Sequence, residues 1–527
     1  MARTISLMLL LFISYCLGAQ IFPKEGSELN FRLIGFSFPG ERETGPYKLE
    51  IAKGHLNNAD LFKKNIIKTI ECKTNKVIAE VPAFGSDYTW RIVFDNKIKN
   101  RVGGLHHFST GMSNRVDSTT RLRIITKAEK YKDAYVFLDA TGALYDMNGN
   151  PIWYLKINNV NINYAVRDLK ETPQGTITFM LFDNDIYEIS YDGAVLWKGP
   201  NTGEVSGEGT EHYHHEFTRL KNGHYMVPGG QELMWELPGY HNSNNMGEHG
   251  IIRDSNNIYR QKMLFGTIIE YDEKGKVVWS WKSADYFKNA DIIIQKEKNG
   301  RYEINDPHEN SFFFDEQEQT IYVGYRNLSR IIKLKYPEGT VMAVYGTKYA
   351  PGIEQMGTDM FCGQHSIEHA KDGYLYVYNN NTLKPGGLPK IEILKEPSFG
   401  TDSLKKVWEY QCTLNDMTDW ERHIYNMEFG NTNNKPQTGG NVNMESLFTN
   451  GGNVTELPDQ SIFASLSSPL SEVFIVNKEK NILWSASFEM WDPRHRNWVG
   501  KAIYKASIIP NQQELEKLIW NAEMNEQ

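Results

Sequence analysis

Apolar and polar residues alternate in short runs along most of this chain, and six of the runs share one design. Each passes through a polar turn into an apolar stretch that closes on a bulky residue, usually Trp. The copies are LYDMNGNPIW to Trp153, EISYDGAVLW to Trp197, EYDEKGKVVW to Trp279, KLKYPEGTVMAV to Val344, EILKEPSFGTDSLKKVW to Trp408 and FIVNKEKNILW to Trp484. Period-two alternation on both sides of a Gly-, Asn- or Asp-containing turn predicts a β-hairpin. A second strand pair precedes each hairpin, as in TITFMLFDNDIYEIS and TIYVGYRNLSRIIKL, so the unit has four strands. Six such units bury their edges by closing into a ring, a six-bladed β-propeller, in which equivalent positions of every blade meet at one axis.

Outside the repeats the pattern changes. Residues 20–113 carry the short strands LNFRLIGFSF, YKLEIAKG, KTIECK, KVIAEV and YTWRIVFD, which fit a small immunoglobulin-like β-sandwich. No chemical cluster is visible there, so this domain reads as a docking or dimerising module, and its strand edges suit a homodimer. Residues 114–527 then form an all-β propeller domain with a C-terminal helical tail, whose apolar positions are Leu515, Leu518 and Trp520. A polar insertion from Gly239 to Tyr259, rich in Asn and Gly, is placed to line or lid the ring.

Composition narrows the setting. The 527 residues suffice for more than one domain, and a net charge of -8 with a pI near 6.0 excludes a basic nucleic-acid footprint. Residues 1–19 combine Arg3, an apolar run from Ile5 to Leu17 and the small pair Gly18-Ala19. That is the form of a secretory signal cleaved before Gln20, with an uncleaved anchor as the alternative. The run is too short to span a bilayer comfortably, so the expectation is a soluble protein, secreted or periplasmic. Cys72, Cys362 and Cys412 allow at most one internal bridge: Cys362 with Cys412, or else three buried thiols.

The candidate chemistry comes from aligning the inner strands. His215 begins HEFTRLKNGHYMV, His365 begins HSIEHAKDGYLYV, and His308 begins HENSFFFDEQEQTIYV, the same unit with a longer turn. The matching position in the first blade is Arg167 and in the last Gly452, while Arg326 of YVGYRN ends the strand pair that His308 opens. Imidazoles and a guanidinium without carboxylates suit a tetrahedral oxyanion such as sulfate or phosphate better than a hard cation or a hydrolytic acid–base pair. One imidazole left neutral could attack the bound group while the others neutralise its oxygens. The run His212-Tyr213-His214-His215 also admits a zinc or copper reading, but has no Asp or Cys at ligand spacing. By strand alternation His212 and His214 share one face and His215 takes the other, so they need not act together. His224, His369, His423 and His495 read as surface or packing residues.

The segments HHEFTRLKNGHYMV, DPHENSFFFD with YVGYRN, and FCGQHSIEHAKDGYLYV resemble those of bacterial arylsulfate sulfotransferases. The resemblance implies a secreted six-bladed propeller behind a small β-sandwich. Its activity would move a sulfuryl group from an aryl sulfate to a phenol, by a ping-pong route, without a nucleotide sulfate donor, metal or other cofactor. It further implies that His365 becomes sulfated, that His308 and Arg326 hold the sulfuryl oxygens, and that His215 assists at the bridging oxygen. Asn310 would donate a further hydrogen bond, and His214 would lie at the substrate. Two alternatives accompany this reading: a sulfate-ester hydrolase on the same ring, and a non-catalytic propeller that binds a sulfated or other anionic ligand.

Overall fold

The structure, a computed structural model, describes residues 21–39, 46–94, 101–157, 165–181, 185–237, 251–291, 293–296, 302–346, 360–381, 387–397, 404–413, 450–467 and 470–525. The expected signal segment 1–19, His423 and the greater part of the polar insertion lie outside these residues. The chain divides into two compact units, Met1–Gly111 and Met112–Gln527. Among the described residues no helix is long and apolar enough to cross a membrane.

In the first unit, one sheet runs in the order Ser27–Leu29, His106–Thr110, Ser86–Phe94, Tyr47–Lys53, Ile66–Cys72, with Arg101–Val102 added beside Ser86–Phe94. A second sheet pairs Leu33–Ser37 with Lys76–Glu80. Phe36 sets its edge against Trp90 at 5.2 Å and against Phe108 at 5.9 Å, which forms an aromatic core. The expectation that nothing clusters chemically in this unit needs correction. The His107 ring bridges the Glu25 carboxylate at 2.7 Å and the Leu56 carbonyl at 3.1 Å, and His55 stacks on it at 4.1 Å.

Among its described residues the second unit is all-β and propeller-like, with one long helix near its end. Among the described residues it holds six antiparallel sheets built on four strands each, and a separate pair, Ile293–Lys296 with Tyr302–Asn305. Their inner strands are Ala506–Ile509, Val166–Glu171, Thr218–Arg219, Glu309–Asp315, Ser366–Ala370 and Asn453–Glu456, and these number the sheets from first to sixth. The first sheet is completed from the far end of the chain, because Ala506–Ile509 pairs antiparallel with Tyr135–Leu138. All six hairpins expected from the sequence occur as strand pairs with a register shift close to the turn. In the third sheet the polar insertion prolongs the two middle strands to Tyr225–Glu236 and Tyr259–Tyr271, with Ile251–Arg253 laid beside the latter.

The Trp that closes five of the six hairpins has a specific task. Trp153 donates its indole N–H to the Tyr191 carbonyl in the next sheet's turn at 2.6 Å, and Trp279 does the same to Pro337 at 2.7 Å. Trp408 reaches Lys478 at 2.7 Å, and Trp484 of the sixth sheet reaches Met147 of the first at 3.1 Å. Trp197 stacks on Tyr225 of the third sheet at 3.8 Å instead. Indole suits this place because its ring fills the gap between sheets while its single donor meets a turn carbonyl. The helix Gln512–Asn525 buries Leu515, Leu518 and Ile519 on one face, leaving Trp520 half-buried. Cys72, Cys362 and Cys412 are buried and unbridged.

Candidate active site

His308 and His365 stand immediately before the inner strands of their sheets, and His215 stands three residues before the inner strand of its own. His215 and His308 both take a left-handed backbone, with φ of 62° and 54°. That conformation costs a β-carbon-bearing residue on the order of 1–2 kcal/mol and collects at functional positions. The counterpart in the sixth sheet is Gly452 (φ 90°), preceded by Gly451 (φ 83°). A Cβ on Gly451 would sit 2.3 Å from the Tyr504 carbonyl, and one on Gly452 would sit 2.1 Å from the Tyr378 ring. No imidazole fits there. At the head of the first sheet's inner strand stands Tyr504, whose carbonyl accepts the Gly452 N–H at 2.7 Å.

The geometry draws the predicted residues together. One ring nitrogen from each of His215, His308 and His365 lies within 4.8 Å of the others. The His215 ring centre is 5.9 Å from that of His308 and 6.0 Å from that of His365. Arg326 donates its backbone N–H to the His308 carbonyl at 2.9 Å, and its side chain donates to the Asn327 oxygen at 2.9 Å. The Arg167 guanidinium lies over the Tyr504 ring, 3.7 Å from its centre, and that ring is 6.1 Å from His215.

The neighbours of His365 and His215 are equally definite. His365 is almost fully buried, and its Nδ1 lies 3.0 Å from Oδ1 of Asn380, whose amide nitrogen donates to the Gly451 carbonyl at 3.0 Å. His214 and His215 meet Nδ1 to Nδ1 at 2.8 Å, and the other nitrogen of His214 reaches the Gly229 carbonyl at 3.0 Å. These two side chains therefore meet, although strand alternation would point them to opposite faces. The segment from Glu211 to Phe217 is not a strand, and left-handed residues at His212 and His215 break the alternation.

Burial and mutual repulsion keep the imidazoles neutral. Desolvation, aided by Arg326, pushes His308 down to about 3, and desolvation pushes His214 down to about 4. His365 is held far below the usual value by burial, then by Arg326 and His308; His215 by burial and then by His214, His308 and His365. Positive charge at the site therefore comes from the guanidinium rather than from the imidazoles, which corrects one part of the sequence argument. The expected absence of carboxylates also fails one layer behind the three imidazoles. Burial raises Asp306 to about 6, although Arg326 opposes this. Lys505 reaches Glu216 at 2.6 Å and Asp168 at 3.7 Å, and its ammonium donates to the His215 carbonyl at 3.2 Å. Burial alone would push Lys505 down, but Glu216 and Asp168 hold it above its ordinary range.

Two predicted site residues have partners the sequence did not suggest. Asn310 is fully buried and donates to the Gln364 carbonyl at 2.6 Å, one residue before His365, so it braces the backbone behind that imidazole. His214 has both ring nitrogens engaged within the protein, as above. Asn380, Tyr504 and Lys505 were missed. Asn380 directly follows the strand Tyr374–Asn379, as Arg326 directly follows Thr320–Tyr325, so the repeat argument that found Arg326 also points to Asn380. Three converging imidazole nitrogens can in principle hold a zinc-like ion. Arg326, whose charge already depresses His308 and His365, opposes a cation there and favours an anion.

Comparison with known proteins adds one firm result. Residues 114–440 match the family described as Arylsulfotransferase (ASST), well over half of the chain. No curated protein matches. Among solved structures, a protein of unknown function from Bacteroides caccae is similar at 12% identity and a TM-score of 0.37, covering 72% of this chain and 99% of that one. The Cps50 (Swd1) β-propeller domain of Myceliophteria thermophila is similar at 9% identity and a TM-score of 0.30, covering 62% and 87%. AztD from Citrobacter koseri is similar at 7% identity and a TM-score of 0.31, covering 89% and 98%. Likenesses this distant carry no argument about activity. The family match does: the chain belongs to the arylsulfotransferase family.

Proposed function

We propose that this protein is an exported aryl sulfotransferase that passes a sulfuryl group from an aryl sulfate to a phenol through a sulfated His365. The observation that carries the reading is the meeting of His215, His308 and His365 within 4.8 Å, with the Arg326 charge acting on two of them. The six sheets are taken as blades of a closed propeller, supported by the Trp484 bond from the sixth sheet to the first and by the strand Ala506–Ile509. Residues 20–113 are taken as a β-sandwich, and residues 1–19 as the export signal.

In the first half-reaction, the lone pair of a His365 ring nitrogen attacks sulfur in line with the departing phenolate. The N–S bond forms as the S–O(aryl) bond breaks. Sulfuryl transfer resembles phosphoryl transfer in having a loose transition state, so positioning and charge matter more than nucleophile strength. Arg326 and His308 face the sulfuryl oxygens. In the second half-reaction, the acceptor phenol gives its proton to His215 as its oxygen attacks sulfur, and the N–S electrons return to His365. A neutral His215 is the form that can take that proton. The substrates are small phenols and aryl sulfates; no metal or nucleotide cofactor takes part in this scheme.

The test is intact mass measured within seconds of mixing with an aryl sulfate. One labile sulfuryl addition mapping to His365 is expected. An enzyme that turns over while showing no adduct under trapping conditions sinks the covalent route. A hydrolase is separated by adding a second phenol, which leaves inorganic sulfate release unchanged in that case but yields a new aryl sulfate from a transferase.

A further inference from the structure

The proposed reaction requires more of His365 than proximity. A neutral imidazole attacks through the nitrogen that lacks a proton, so the site works only if the proton sits on the other one. Which nitrogen carries it is decided by the hydrogen bond the ring makes on its far side. His365 makes that bond at Nδ1 to Asn380.

The amide of Asn380 could in isolation present either its oxygen or its nitrogen. Gly451 removes the choice. A backbone carbonyl only accepts, so the Asn380 nitrogen must face Gly451 and the oxygen must face His365. An amide oxygen only accepts as well, so Nδ1 of His365 carries the proton and Nε2 is bare. The carbonyl that settles this belongs to the glycine pair with no room for side chains, and Asn380 itself is fully buried. We propose that Asn380 is a positioning residue that fixes His365 in the Nδ1–H form, leaving Nε2 as the attacking atom. His214 treats His215 in the same way: its Nε2–H is committed to the Gly229 carbonyl, so its bare Nδ1 accepts from Nδ1–H of His215 and frees Nε2 of His215.

The inference rests on the sulfotransferase reading for its chemistry, but not for its geometry. When Nε2 of His365 takes the sulfuryl group, the ring becomes an N-sulfo-imidazolium that still holds its Nδ1 proton. Retaining that proton keeps the imidazole a good leaving group for the second transfer, because the ring departs neutral. An amide oxygen is a suitable partner: it is neutral, so it orients the N–H without withdrawing the proton. A carboxylate there would raise the basicity of the ring and slow its departure.

The test uses the full chain with 15N-labelled histidine, read by long-range proton–nitrogen NMR, with His365 assigned by comparison with His365→Gln. Wild type is expected to show a protonated Nδ1 and a bare Nε2 at His365, and Asn380→Leu is expected to lose that pattern. Turnover of Asn380→Leu should fall on the order of 10²-fold or more while KM for the donor stays within about threefold, since a wrong tautomer harms the chemical step. Asn380→Asp keeps an acceptor oxygen, so it should recover about tenfold over the Leu variant and show Nδ1–H again. Two results would overturn the inference: a wild-type His365 protonated at Nε2, or an Asn380→Leu variant with unchanged kcat. A wild-type ring in the predicted form in a protein that transfers no sulfuryl group supports the tautomer assignment and refutes the sulfotransferase reading alone.

Discussion

The outer and inner edges of the six sheets use the same repeat for opposite ends. At the outer edge four of the six copies stay alike: Trp153, Trp279, Trp408 and Trp484 each close a gap and donate one bond to the following turn. At the inner edge the copies diverge into Tyr504, Arg167, His215, His308, His365 and Gly452, and no two of the non-histidine positions are the same. Outer positions lie far apart, so each must solve the same packing problem separately. Inner positions that meet can divide one chemical task among different side chains.

That contrast is most easily broken at His365. His365→Gln should lower transfer on the order of 10⁴-fold or more and abolish the sulfuryl adduct, with little change in melting. Normal turnover by this variant would take the inner edge out of the chemistry. Arg326→Gln should cost about 10²–10³ in kcat, the scale for removing a charged transition-state donor, and a change confined to KM would reassign it to ordinary binding. At the outer edge the effect should be on stability alone. Trp153→Phe keeps a ring in the gap but strands the Tyr191 carbonyl, so denaturant unfolding should show a loss of about 1–3 kcal/mol with kcat intact.

Acid sharpens the comparison further. His308 has a folded value of about 3 because burial disfavours its charged form. Between that value and the ordinary imidazole range, the unfolded chain binds a proton that the folded chain refuses. Stability from this source falls as pH drops below about 6.5 and levels off near 3. His308→Gln lacks the penalty, so urea unfolding at pH 7 and pH 5 should show the variant gaining on wild type by on the order of 1–2 kcal/mol at the lower pH. Parallel curves would mean that His308 is solvated. The smallest effect belongs to Trp279→Phe, where the indole is more open to water and the loss should stay under about 1 kcal/mol.

Much of this was legible in the sequence because both edges obey spacing rules. Turn residues and alternation locate the hairpins, and one offset from the turn glycine finds His215 and His365. What escaped was whatever depends on the third dimension. Asn380 sits in a run of three asparagines, where the repeat offset of Arg326 singles it out, but its contact with Gly451 appears only in the folded chain. His214 and His215 look opposed on an ideal strand, and only their left-handed neighbourhood turns them toward each other. Lys505 reads as an ordinary surface residue until the strand after it is placed inside the first sheet. One neutral imidazole was expected from the sequence, but that the others are neutral too could not be read, because a charge state follows from burial and neighbours rather than from residue type.

The strand Ala506–Ile509 has a further consequence for how the molecule is made. Its partner Tyr135–Leu138 emerges early in synthesis and must wait with an open edge until almost the whole chain has appeared. Pairings this remote in sequence form slowly. Tyr504 and Lys505 arrive with that strand, so the neighbours of His215 are complete only once it has paired. A chain cut short before Tyr504 would lack the inner strand of the first sheet and two neighbours of His215.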